Sequence, residues 1–328
     1  MRMIQSSSQR GAMLAWTALF MVVLMGCAAL VIDLGLGWTS RRNLVTTTDA
    51  AALAAAQEYA LGGTGCDAVA SNYVSLNAPG ATMTACDPLG TNAVTVDAEQ
   101  NITTSFAQVL GLTDFDTESS STAKWGQPNG ATGLRPFGLC SEAPGMQQFL
   151  ANPQATQTHR IDYNKASPDQ CGGNNVPGNW GTIDFDGGAN SNQDTKDWVE
   201  NGYDDAVYSG TLGGTCGAEP YACYEGDTGA TTGANKETKD LMDSGMYFGL
   251  PIFDYAIGNG AGSTFHLIGF ARVRIVDFKF NGAEDQRFIT LQFEPGIITG
   301  SCCNPGGPPT NAKAIAICAV DRKNLGAC

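Results

Sequence analysis

The chain has 328 residues, eleven of which are cysteine, and a formal net charge of −14 at pH 7. Residues 1–60 contain four arginines and three carboxylates, which leaves −15 for residues 61–328. So acidic a surface is a poor partner for nucleic acid or for an anionic membrane surface. The length exceeds one average domain, and we expect two globular units beyond the N-terminal segment.

The N-terminal segment is predicted to form one continuous helix over residues 11–60. Residues 11–32 carry no charged side chain, and at about 1.5 Å per residue this run is long enough to cross a hydrocarbon core of roughly 30 Å. The alanine-rich run 50–56 has high helix propensity, and Gly62 and Gly63 follow as a stop signal. We therefore expect a membrane-spanning helix that continues outside the membrane as a stalk.

The orientation and processing of this helix follow from its flanking residues. Arg2 and Arg10 precede the apolar run, and the acidic, cysteine-rich bulk follows it, so residues 1–10 are predicted to be a cytoplasmic tail. We expect an uncleaved single-pass anchor. Two alternatives remain from the residues alone: a cleaved signal peptide, and lipidation of Cys27 in the lipobox-like run 24–27.

Several features of this segment recur in order in one protein family. Residues 10–12 (RGA), 32–35 (IDLG), 41–42 (RR) and 48–56 (TDAAALAAA) resemble the N-terminal segment of TadE/TadG-like proteins of the Flp (Tad) pilus-assembly system. The resemblance implies a bitopic, non-enzymatic envelope protein whose partners are other Tad/Flp pilus subunits or the assembly platform. It also implies a third processing alternative, prepilin-peptidase cleavage after Gly11, but Trp16 stands where prepilins of this kind usually carry glutamate.

Small residues along the helix predict close approach of a neighbouring helix, as in pilin stalks within a filament or its base. The candidate packing residues are Gly26, Ala29, Gly35, Ala51 and Ala55. The alternative is an ordinary single-pass anchor, since small residues are common in membrane helices.

Residues 61–126 are predicted to form a small α+β module. The predicted order is a helix over 67–77, a loop closed by Cys66 and Cys86, a strand over 93–97, an amphipathic helix and a strand over 117–125. Thr103 or Thr104 is predicted to cap the amphipathic helix, which would bury Phe106, Val109 and Leu110 on one face.

Residues 126–133 are rich in turn-forming residues and predict a linker to a larger unit over 134–328. Strands are predicted over 179–186, 246–257, 264–280, 286–293 and 314–320, and a short helix over 195–201. Asn281–Gly282 predicts a hairpin turn, the pattern of apolar residues predicts a bulge near Ile275, and Ile289, Leu291 and Phe293 would complete a buried face. The fold class is therefore α+β, with a mostly antiparallel, cysteine-rich β domain at its C-terminal end.

Ten cysteines lie outside the apolar span, an even number in a chain whose anchor implies export. An oxidising compartment favours disulfides, which would pin the long loops. The candidates are Cys66, Cys86, Cys140, Cys171, Cys216, Cys223, Cys302, Cys303, Cys318 and Cys328. We expect Cys318 to bond Cys302, Cys303 or Cys328. No CxxC pair occurs, which makes a zinc site a weak interpretation.

One loop has the composition of a cation site. Carboxylate and amide oxygens alternate around glycines, as calcium prefers. The candidate ligands are Asp184, Asp186, Asn190, Asn192 and Asp194. The spacing does not fit an EF-hand, and the alternative is a turn rich in Asp and Asn. Apart from this possible calcium ion, no cofactor is expected.

Catalytic motifs are weak in this sequence. His159 and His266 are the two histidines, and neither lies in a hydrolase or phosphate-binding motif. His266 sits in an apolar strand pattern, which favours a structural role. Together with the resemblance to TadE/TadG-like proteins, this implies a non-enzymatic, single-pass subunit of Tad/Flp pilus assembly in a bacterial cell membrane, with an extracytoplasmic or cell-surface C-terminal domain and a minor pilin-like role. The alternative is a surface adhesin whose distal β domain engages a glycan or protein with calcium.

Overall fold

The computed structural model describes residues 9–163, 171, 180–188, 192–227, 233–258, 262–304 and 306–318. Over these residues the chain has an α+β fold. The helices are α1 (Gln9–Ala60), α2 (Asp67–Asn77), α3 (Pro144–Ala151), α4 (Asn192–Glu200) and α5 (Asn235–Ser244). The strands are β1 (Ala81–Leu89), β2 (Ala93–Thr103), β3 (Asp114–Gly126), β4 (Pro128–Ala131), β5 (Phe137–Cys140), β6 (Gln157–Asp162), β7 (Trp180–Asp184), β8 (Val207–Tyr208), β9 (Cys223–Asp227), β10 (Phe248–Ile257), β11 (Thr264–Lys279), β12 (Phe288–Phe293), β13 (Gly296–Ile297), β14 (Gly300–Cys302) and β15 (Ala312–Ile317).

Helix α1 is one continuous helix of 52 residues, as predicted. The side chains of its apolar N-terminal half are exposed, and the helix is long and apolar enough to cross a membrane. Its C-terminal half buries one face, which includes Leu44 and Ala52. Gly62, with φ of 91°, adopts the left-handed conformation after the last turn, which glycine reaches without strain.

The C-terminal half of α1 lies on a five-stranded sheet in the order β1-β2-β3-β15-β13. Helix α2 has the predicted bounds. Residues 81–89, which were expected in a loop, form strand β1 and pair with β2. In β1 only Cys86 is buried, and Asp87 and Pro88 are residue types that strands disfavour, so the sequence is a weak signal for this strand.

The predicted amphipathic helix after β2 is wrong. Only a short 3-10 turn forms, at Ala107–Leu110, and Phe106 and Val109 are 46% and 89% exposed. The Thr104 N–H donates to the Thr113 carbonyl, which closes the connection between β2 and β3. Too few residues remain between these two ends for an α-helix of useful length.

Strand β15 comes from the C-terminal end of the described chain and pairs with β3 in antiparallel register, from Ala314 opposite Gly126 to Ile317 opposite Ala123. The division into units 61–126 and 134–328 remains a prediction, but hydrogen bonding of the sheet runs across it. Residues 128–131, expected in a linker, form β4, which pairs with β14 and β8.

The larger part of the chain forms a second sheet, which closes on itself. Strand pairing runs β10-β5-β7-β9-β11 and returns from β11 to β10. The β10–β5 pair is parallel, and the other pairs of this ring are antiparallel. Strands β12 and β6 extend the sheet from the C-terminal part of β11. Phe137, Phe253, Phe265 and Phe270 fill the core of this region.

The β11–β12 hairpin contains the predicted bulge, because the register shifts between Ile275 and Asp277. The predicted buried face is also confirmed: Ile289, Leu291 and Phe293 are fully buried. The tight Asn281–Gly282 turn is wrong. Lys279 pairs with Phe288, so residues 280–287 form a longer connection that includes a 3-10 turn at Glu284–Gln286.

Candidate functional site

Disulfides fasten the loops of the described chain. Four bonds join Cys66 to Cys86, Cys140 to Cys171, Cys216 to Cys223, and Cys302 to Cys303. Cys318 is also disulfide-bonded. The bond between Cys302 and Cys303 means that neither ties Cys318, contrary to two of the three expected pairings. Cys328 lies outside the described residues. A chain with this many disulfides is typical of an oxidising compartment.

Asp33, the first residue after the apolar run of α1, binds the helix to the connection between β2 and β3. This carboxylate is 6% exposed and accepts hydrogen bonds from the backbone N–H groups of Ser105 (2.9 Å), Phe106 (3.0 Å) and Ala107 (2.6 Å). These three groups precede or begin the 3-10 turn, where backbone donors lack partners within the turn. Asp33 therefore joins the start of the β2–β3 connection to the helix, at the position directly after residues 11–32.

Further along α1, polar contacts continue to the sheet. Thr48 Oγ1 lies 2.8 Å from Ser119 Oγ, and Ser121 Oγ donates to Asp49 Oδ1 at 2.6 Å. Near the end of the helix, the rings of Tyr59 and Trp125 stack with centroids 5.5 Å apart. Contacts nearer the C-terminal end of α1 therefore involve residues nearer the C-terminal end of β3.

Two of the small residues predicted to receive a neighbouring helix have a different role. Ala51 and Ala55 are fully buried in the core that α1 forms with its own sheet and α2, so they are not surfaces for another subunit. Small side chains let the helix approach the sheet closely. Gly26 and Gly35 are exposed, with open space around an added Cβ, and Ala29 is half-buried.

The candidate calcium loop follows β7. Asp184 is 3% exposed, and its Oδ1 accepts the N–H groups of Asp186 and Gly187 at 3.2 Å each. Asn190 lies outside the described residues, while Asn192 and Asp194 belong to α4. Among the described residues, no group of three or more His, Cys, Asp or Glu side chains could hold a metal ion. The described part of the loop therefore contributes two carboxylates and an Asx turn.

The second oxygen of Asp184 is buried without a hydrogen-bond partner. Burial, followed by the hydrogen bond and charge of Asp186, raises the pKa of Asp184 to about 6. A carboxylate at this position is therefore destabilised unless a proton or a cation neutralises it. Carboxylate oxygens suit a hard cation such as calcium. The described residues of the loop supply two carboxylates, which is fewer ligands than calcium usually takes.

His266 is fully buried between two carboxylates. Its Nδ1 lies 2.8 Å from Asp254 Oδ1 and its Nε2 lies 3.0 Å from Glu219 Oε2. The Thr211 N–H, followed by His266, holds the pKa of Glu219 below its usual range. Asp254 also accepts the Gly213 N–H at 2.8 Å. The cluster attaches the loop that contains Thr211 and Gly213 to strands β10 and β11.

This arrangement resembles the His–carboxylate half of a catalytic triad, but no nucleophile faces His266 among its described contacts. Both ring nitrogens are engaged by carboxylates, and a general base needs one nitrogen free to receive a proton. His159 is half-buried, with Nε2 2.6 Å from Gln157 Oε1, and burial lowers its pKa. These contacts are structural for both histidines.

Sequence reasoning missed the two features that organise the region around α1. Asp33 belongs to the IDLG run, and a carboxylate directly after an apolar span indicates that it needs a partner. Its partners at residues 105–107 are too distant in the chain to be read from a pattern. The partner of β15 was missed for the same reason.

The similarity of this chain to known proteins lies in helix α1. No curated protein and no solved structure matches the chain. Residues 11–58 match the Tad family model, which describes TadE/G-like proteins of Flp pilus assembly, so this helix is similar to the N-terminal helix of a pilus-associated family.

Proposed function

We propose that this chain is a non-enzymatic, membrane-anchored subunit of Flp/Tad pilus assembly with a minor pilin-like role. The observation that carries the proposal is the division of α1. Its apolar half is exposed and free of contacts with the sheet, whereas its other half packs on an antiparallel sheet. The family match covers both halves. A pilin-like subunit needs this division, because one half must reside in a membrane or filament while the other carries the head.

The proposed topology places residues 1–10 in the cytoplasm and residues 61–328 outside the membrane. The disulfides support an extracytoplasmic location for the sheets. Arginines at positions 2 and 10 support a cytoplasmic N-terminus. The proposed partners are other pilus subunits or the assembly platform, which would contact the exposed half of α1 around Gly26 and Gly35.

Deletion of the gene tests the assembly role. Surface pili are counted by electron microscopy, and the pilus protein released by shearing is measured. We expect pili to be lost and to return with the wild-type gene. Gly26→Leu refines the test, because open space surrounds this residue in the isolated chain. It should reduce piliation while the protein level stays normal. Val23→Leu is the matched control on the same exposed helix. Unchanged piliation after deletion would refute the assembly role.

Intact mass of the protein from native envelopes tests the proposed anchor. We expect the full-length N-terminus and ten protected thiols that become reactive after reduction. A start directly after Gly11 would identify a processed prepilin. A diacylglycerol adduct on an N-terminal Cys27 would show that a lipid anchor, and not a spanning helix, holds the protein in the membrane.

A second candidate function is a surface adhesin whose distal domain uses calcium to engage a glycan or protein. The unpartnered buried oxygen of Asp184 supports it. Calcium would neutralise the Asp184–Asp186 pair, so it should raise the melting temperature of the full-length protein in detergent, and chelation should lower it. Asp184→Asn should abolish that shift. A melting temperature indifferent to calcium would remove this candidate.

A further inference from the structure

The connection between β2 and β3 exposes large apolar side chains at one end of the sheet. We call the side chains of Phe106, Val109, Leu112 and Phe115 the apolar tip. They are 46%, 89%, 61% and 39% exposed. The tip spans ten residues of the chain, and its polar residues are Gln108, Thr113 and Asp114. Contiguous exposed apolar side chains on a protein surface mark a contact with another phase or another molecule.

The contacts of α1 fix where the tip lies. Asp33 accepts three backbone N–H groups at residues 105–107, and an added Cβ on Gly37 would lie 2.6 Å from the Phe115 ring. Asp33 comes directly after the apolar run 11–32, and Gly37 follows one helical turn later. Thr48, which contacts Ser119, lies roughly 22 Å further along the helix at about 1.5 Å per residue. The tip is therefore the end of the sheet nearest to the apolar run.

The depth of the tip follows from the same helix. If residues 11–32 fill the hydrocarbon core, Asp33 lies at its border, where a headgroup layer of roughly 5–8 Å begins on each side. Unsatisfied backbone groups are costly where the hydrocarbon core begins. Asp33 satisfies the N–H groups of residues 105–107 there, while the apolar side chains of the tip are exposed.

We propose that the apolar tip inserts into the interfacial layer of the bilayer beside α1, so that the head rests on the membrane at two points. The occupant of the tip is lipid, because Asp33 joins the tip to the helix at the border of its exposed apolar run. Asp114 lies between two residues of the tip and Asp116 follows it, and both are exposed, which favours uncharged phospholipid over anionic phospholipid. A second contact fixes the tilt of the head relative to the helix, which a lone helix would leave free. This inference rests on the proposed membrane anchor.

The test uses full-length protein with one chain per phosphatidylcholine nanodisc. The fluorophore NBD is attached at Val109→Cys in a Cys27→Ser background. Leu76→Cys in the same background is the matched control, because Leu76 is 71% exposed and lies on α2, away from Asp33. Native Cys27, which is exposed on the apolar half of α1, is labelled separately to report insertion of the helix. Mass spectrometry verifies that the native disulfides remain intact.

Lipids with a doxyl group near the headgroup should quench NBD at position 109 at least threefold more than at position 76, and emission at 109 should be blue-shifted. Quenching at Cys27 without quenching at 109 would overturn the tip proposal and leave the anchor intact. Absence of quenching at Cys27 would overturn the anchor itself. Protection of 109 from a soluble maleimide without lipid quenching would point to a protein contact and would also overturn the proposal.

Discussion

At the scale of single residues, Asp184 and His266 are buried titratable groups whose surroundings predict how stability responds to pH and to substitution. Burial raises the pKa of Asp184 to about 6, and Asp186 adds to the rise. The folded state therefore holds this proton more tightly than the unfolded state does. The resulting stabilisation is complete below the ordinary aspartate pKa and is lost as pH rises through about 6.

Asp184→Asn should stabilise the protein at neutral pH. The amide retains an oxygen for the N–H groups of Asp186 and Gly187 but carries no charge. We expect the free energy of unfolding to rise on the order of 2 kcal/mol at pH 7, with little change at pH 4. Urea denaturation at both pH values measures this, with exposed Asp87→Asn as control. A variant less stable than wild type at pH 7 would show that a bound cation or another partner neutralises Asp184.

His266→Gln should destabilise the protein, because it removes the imidazole that hydrogen-bonds the partly buried carboxylates of Glu219 and Asp254. A buried polar group left without its partner costs about 1–3 kcal/mol, so we expect a loss of about 2 kcal/mol. Hydrogen exchange should accelerate in the loop around Thr211. His159→Gln, at a half-buried histidine, is the control, and equal effects of the two variants would contradict the structural role of His266.

Among the elements, the packed part of α1 and the strand β3 match each other in length. The contacts from Gly37 to Tyr59 cover 22 helical residues, or roughly 33 Å. Their partners from Phe115 to Trp125 cover ten strand residues, also roughly 33 Å. Helix and strand thus run side by side over their whole shared length. Close approach along this length requires the small side chains of the buried alanines.

Ala55→Leu should therefore disrupt this contact. Ala55 is fully buried against the sheet, and added methyl groups in a well-packed core cost about 1–3 kcal/mol. Gln57→Leu places the same side chain on the exposed face two residues away and should leave stability unchanged. Chemical denaturation of the full-length protein in detergent compares the two. An Ala55→Leu variant as stable as wild type would show that the helix is only loosely attached to the sheet.

The elements differ in how well the sequence predicted them, for a physical reason. Helix α1 and the β11 bulge follow from local patterns that tertiary contacts reinforce. The helix expected around Val109 had an adequate apolar pattern, but the short closure between β2 and β3 prevented it. In the candidate calcium loop, the residue types predicted oxygen ligands, whereas the orphaned Asp184 oxygen depends on burial by distant strands. Burial of that kind is not visible in a local pattern.

At the scale of the whole molecule, β15 joins the two ends of the chain. The strand pairs with β3, and it also contacts α1 and β11. Ile315 lies opposite Trp125 and packs against the core beneath α1. A residue near the C-terminal end of the described chain thus stabilises the sheet that carries the N-terminal helix. The sheet next to the helix and the distal sheet should therefore lose stability together rather than unfold independently.

Ile315→Asp tests this coupling. A carboxylate in the partly buried position should lower the free energy of unfolding by about 2 kcal/mol and accelerate hydrogen exchange throughout β3, almost 200 residues earlier in the chain. Val276→Asp on β11, where the native side chain is 46% exposed, should leave exchange in β3 unchanged. If Ile315→Asp accelerated exchange only in β15 itself, the sheet beside α1 would be stable without its last strand, and the helix and its first three strands would suffice as the unit that carries the head.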